Sequence, residues 1–137
     1  MTDLPFQIDA DSFAKPRANT LVEYMYRDAS NYKQSMTAVL PGALTLEQAV
    51  EIVACTDRNM GDSFLPAMVG LASADWSSDG AGAHYGDDHP WHELVQIEPT
   101  DDRPNEDTTA AQFLAAMQAA HKQGWIPENA APPHIAR

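Results

Sequence analysis

Residues 21–54, LVEYMYRDASNYKQSMTAVLPGALTLEQAVEIVA, read as strand, turn, strand, turn and helix, and the rest of the chain is placed around them. In 21–27, Val22, Tyr24 and Tyr26 alternate with Glu23, Met25 and Arg27, the period of two that gives a strand two distinct faces. Asp28, Ser30 and Asn31 are turn formers, because short polar side chains bond nearby backbone and Asn tolerates a left-handed conformation. Residues 32–40 are again rich in β-formers, close enough to the first run to pair with it as a hairpin. Pro41 and Gly42 end the second run. Thr45 then opens a helix with a capping box closed by Gln48, and Leu44 and Ala49 stand where a weak hydrophobic staple belongs. Leu46, Val50, Val53 and Ala54 are expected to form the helix face that lies on the hairpin.

Outward from this unit the signals are weaker. Residues 1–20 are expected to form a partly flexible arm, with Phe6, Ile8 and Phe13 as possible anchors. Residues 57–62 read as a loop. Pro66 is placed to start a short helical turn ending at Gly70, and Phe64, Leu65, Met68, Val69 and Leu71 are too apolar for a free loop. Residues 72–86, rich in Gly, Ser, Ala and Asp, read as an excursion with Trp76 and Tyr85 as its large anchors. A third strand is expected at 91–97, entered through Pro90. Thr109 and Gln112 form a second capping box, Phe113, Leu114, Met117 and Ala120 the apolar face behind it, and Gly124 the stop. Trp125 and Ile126 are expected to fold back on the core, and 127–137 to form a flexible tail. The result is a two-layer α+β domain over residues 21–126. It is an antiparallel sheet of three or four strands in β-β-α-β-α order, with both helices on one face.

The strings YRDASNYKQ, PGALTLEQ, FLPAMVGL and DDHPWHEL, followed by EPTD and the helix start TAAQF, resemble a family of small bacterial and mobile-element proteins. The resemblance covers roughly residues 23–120 and implies one compact domain. It brings no activity, cofactor or catalytic residue with it. The Gly- and Ala-rich stretch 80–83 and the long tail depart from the family's pattern.

Charge narrows the function classes. The chain has 137 residues, with 20 acids against 8 bases and a net charge of −12. Residues 75–107 hold ten of those acids and one base, Arg103. Phosphate contact needs clustered Lys and Arg, so direct binding to nucleic acid is not expected, nor is binding to anionic membranes. One cysteine, Cys55, no apolar run of secretory type at the start and no later segment long enough to span a bilayer suggest the cytoplasm.

Two clusters merit weighing. Asp87, Asp88, His89, Pro90, Trp91, His92 and Glu93 put two imidazoles and three carboxylates within seven residues, the ligand types of a divalent metal. In a strand, however, His89 and His92 point to opposite faces, and Pro90 prevents the helix that would reunite them. His89, His92 and Glu93 are therefore weak metal candidates, set against a charged strand entry with His92 paired to an acid. Around the hairpin, Tyr24, Arg27 and Tyr32 are of the types that dominate binding hot spots, and equally of the types that hold strands together by cross-strand pairing.

Cys55, Ser35 and Ser63 lack the neighbours of a catalytic nucleophile, no glycine loop suited to phosphate precedes a helix, and no motif calls for a cofactor. The expectation is a non-enzymatic interaction domain that meets a basic protein through residues 75–107. Asp87, Asp88, Glu98, Asp101 and Asp102 are its acidic contacts, and Tyr24, Arg27 and Tyr32 further ones. A sharper alternative is a nucleic-acid mimic that inhibits a DNA- or RNA-binding defence protein, in the manner of an anti-CRISPR protein. The third is a small metal-binding protein or hydrolase using residues 89–93.

Overall fold

The computed structural model describes residues 4–27, 33–73 and 91–126. Strand β1 (Asn19–Arg27) pairs antiparallel with β2 (Lys33–Pro41) in the register Leu21 to Val39 and Arg27 to Lys33. The turn expected at 28–31, Tyr32, residues 74–90 and the tail lie outside the described residues. Helix α1 (Leu46–Ala54) follows, then the two-residue strand β3 (Ser63–Phe64), strand β4 (His92–Thr100) and helix α2 (Ala110–Gln123). The strands form one antiparallel sheet in the order β2-β1-β4-β3. The fold is the α+β sheet with two helices expected from the sequence. β3 adds a fourth strand where the sequence suggested only an apolar segment.

Strand β1 alternates as expected. Val22, Tyr24 and Tyr26 are buried on the helix side, while Leu21, Glu23, Met25 and Arg27 are half-buried on the other. β4 runs three residues beyond the expected end, through Pro99. Proline is tolerable there because β3 reaches only Glu93 and His92, so the outer side of β4 needs no donor from residue 99. A register shift opposite Glu23 and Tyr24 lets both Leu94 and Ile97 fall on the core face although they are three residues apart.

Both capping boxes form. Thr45 Oγ1 accepts from Gln48 N–H at 3.1 Å while Gln48 Oε1 accepts from Thr45 N–H at 2.9 Å, and Thr109 and Gln112 repeat the arrangement. The face of α1 differs from expectation. Ala49, Ile52 and Val53 are buried, Leu46 and Val50 half-buried and Ala54 exposed. The stripe is centred on Ile52, because the i, i+3, i+4 set about Ala49 puts the bulkiest apolar side chain innermost. In α2, Ala110, Phe113, Met117 and Ala120 are buried, with Leu114 half-buried beside them. These faces join Val22, Tyr24, Leu40, Phe64, Leu94 and Ile97 in one core. Each fully buried Leu, Ile, Phe or Met contributes about 1.5–3 kcal/mol.

Backbone edges are closed from outside the strands. On β4, Ile97 N–H donates to Gln7 O at 3.1 Å, Leu94 N–H to Asp62 O at 3.1 Å, and the buried Gln7 Nε2 to Leu94 O at 3.2 Å. On β2, Asn105 Oδ1 accepts from Val39 N–H at 2.7 Å, Asn105 N–H donates to Val39 O at 3.0 Å, and its Nδ2 donates to Thr37 O at 3.2 Å. Of the three expected anchors of the arm, Ile8 is buried and Phe13 packs on the core, but Phe6 is 78% exposed. Trp125 folds back, its indole donating to Cys55 O at 3.0 Å, whereas Ile126 is exposed. Among the described residues no helix is long and apolar enough to cross a membrane.

Candidate functional site

The helices occupy one face of the sheet, so charged strand residues collect on the other. Leu21 stands opposite Glu98, Glu23 opposite Gln96 and Met25 opposite Glu93. Glu23, Glu93 and Glu98 thus share this open face on two adjacent strands, all half-buried. Gln96 Nε2 donates to Glu98 Oε1, and Arg27 Nε donates to Glu93 Oε2 at 2.9 Å. Beyond the end of β4 the acidic run continues through Asp101, Asp102 and Asp107, all exposed.

The carboxylates differ in what they already do. Asp101 is structural: Oδ2 pairs with Arg17 Nη1 at 3.0 Å and Oδ1 accepts from Ala18 N–H at 3.1 Å, which fastens the arm to the end of β4. Asp102 uses its backbone, accepting from Asn19 Nδ2 and donating to Thr100 Oγ1, and leaves its carboxylate in solvent. Glu106 is half-buried, and burial first, then the neighbouring Asp107, raises its carboxyl above the usual glutamate value. Asp87 and Asp88 lie outside the described residues.

The aromatic candidates divide. Tyr24 is 1% exposed, stacks edge-on against Phe64 with ring centroids 5.4 Å apart, and donates its hydroxyl to Ala72 O at 2.6 Å. Burial, then the charge of Glu106, holds that hydroxyl well above its ordinary pKa. It serves packing, the other role its sequence context allowed. Arg27 stays on the open face in its ion pair with Glu93, and Tyr32 is not among the described residues.

Of the metal candidates, His92 is fully buried on the helix side, between the rings of Tyr24 and Tyr26 at 5.9 and 5.3 Å. Glu93, the next residue, is on the opposite face with Arg27, and His89 is not described. Among the described residues no group of three or more His, Cys, Asp or Glu side chains converges as a metal site. Cys55 is buried at the end of α1. Desolvation, then Glu51 through its charge and an Sγ to Oε2 contact of 3.9 Å, pushes the thiol up to about 11, the reverse of nucleophilic activation.

Comparison with family models, with curated proteins and with solved structures finds no match to this chain.

Proposed function

We propose that the chain is a non-enzymatic protein-binding module that meets a basic protein surface through its open sheet face and the acidic loop after β4. The supporting observation is the segregation of the sheet. Helices claim one face, and the other carries Glu23, Glu93 and Glu98 in neighbouring positions leading to the solvent-exposed carboxylate of Asp102. Such a field speeds the approach of a cationic surface and sets its orientation. A cytoplasmic setting and a bacterial or mobile-element origin are part of the same reading.

The test is capture of a basic partner by the full chain at low and high salt, beside a Glu23→Gln, Glu98→Gln, Asp102→Asn variant. Asp101 is left intact because neutralising it releases the arm as well as a charge. Binding is expected to fall steeply in the variant and to fall likewise with salt, since both remove the same Coulomb attraction. A partner indifferent to both treatments refutes the reading. Displacement of the chain by DNA or RNA from such a partner marks the sharper form, in which carboxylates stand in for phosphates.

A further inference from the structure

Lys15 and Arg17 flank a surface concavity beside the end of β4. The arm, the turn before α1 and the end of β4 frame a cavity of about 230 Å³ that is open to solvent. Its walls are apolar on Phe13, Pro16, Leu44 and Pro99, and its charged lining is Lys15 and Arg17. No carboxylate lines it, although the chain has 20 acids and 8 bases. Thr45 Oγ1, also in the lining, accepts from Gln48 N–H in its capping bond, which leaves its O–H proton able to donate to a ligand. Arg17 is oriented by Asp101, whereas Lys15 makes no ion pair or hydrogen bond among the described residues.

We propose that this cavity binds a small organic carboxylate with a compact apolar body, the carboxylate meeting Lys15 and the edge of Arg17 and the body lying on Phe13, Pro16, Leu44 and Pro99. The chemistry follows from the lining. A strongly hydrated phosphate would lose water against four apolar walls without enough donors to replace it, while a neutral apolar molecule would leave the ammonium unused. The volume is below the roughly 300–1,000 Å³ that holds drug-sized ligands, so the body is the size of an aryl or short branched alkyl group. Arg17 ties the site to Asp101 of the acidic loop, whereas Glu23, Glu98 and Asp102 do not line it.

The experiment titrates benzoate, phenylacetate and the uncharged benzamide into the full chain and follows backbone amides by NMR. Benzoate and phenylacetate are expected to saturate with affinities on the order of millimolar, as suits about ten non-hydrogen atoms, and to shift the amides of residues 13–18 and 43–46 first. Benzamide is expected to bind more weakly. Lys15→Gln should weaken benzoate by about two- to fivefold, the range of an exposed ion pair, with an unchanged spectrum elsewhere. Ala43→Leu, which crowds the lining, should abolish binding, and the Glu23, Glu98 and Asp102 triple variant should retain it. Shifts scattered over the surface without saturation, equal binding of benzamide, or indifference to Lys15→Gln overturns the proposal.

Discussion

Gly70 and Thr108 show how closely two loops of this protein meet. Thr108 Oγ1 donates to Gly70 O at 2.8 Å, and a Cβ at Gly70 would stand 2.6 Å from Thr108 Oγ1, on a backbone with φ of +82°. Gly61 has a similar φ of +72° but nothing within 4 Å of its would-be Cβ. Gly61→Ala is therefore expected to cost about 1–2 kcal/mol from backbone strain alone. Gly70→Ala should cost more, by about 1–3 kcal/mol, because a well-fitted contact must also move. Denaturant melts that give equal losses would mean that Thr108 simply turns aside. Glu106 supplies a second single-residue expectation. Its carboxyl holds a proton more readily in the folded chain than in the unfolded one, so its ionisation works against folding as pH rises through and above the glutamate range. Glu106→Gln should thus melt higher than the parent near pH 7, and the gain should vanish below roughly pH 4, where both folded and unfolded carboxyls are protonated. Melting curves of the two proteins across that range check the sign.

At the scale of elements, what could be read from sequence was what is decided within a few residues. Both capping boxes are local, since Thr and Gln three apart satisfy each other's backbone, and both stand where expected. The alternation of β1 is local too. The face of α1 expected from sequence omits Ile52 and includes Ala54, and the structure reverses both. Packing puts Ile52 fully inside. Ile52→Ala is expected to cost about 2–5 kcal/mol, whereas a polar residue at the exposed Ala54 should change stability by no more than about 0.5 kcal/mol. Similar losses at both positions in urea melts would contradict this packing. Strand β3 is illegible in the sequence for a different reason. Two residues carry no period of their own, and Ser63 and Phe64 become a strand only because Glu93 and His92 lie beside them.

For the whole molecule, the acidity of residues 75–107 is plain in the composition, but the geometry of their carboxylates is not. Which carboxylates sit together depends on the register of β1 against β4, and which are already engaged depends on Arg17, Arg27 and Gln96. The cavity by Lys15 was equally hidden, since it joins residues 13–17, 43–45 and 99. The closures of the sheet are of the same long-range kind: an amide side chain and its backbone imitate a strand, from Gln7 at one edge and Asn105 at the other. The second has a wider meaning. Asn105 belongs to the loop that also carries Asp101, Asp102 and Asp107, so the loop proposed to meet a partner is also the latch over β2. Whatever lifts that loop uncovers the outward N–H and C=O of Val39, a template on which another copy's strand can grow. Asn105 thus closes the middle of the β2 edge, while Lys33 and Pro41 at its two ends are residue types that themselves discourage pairing.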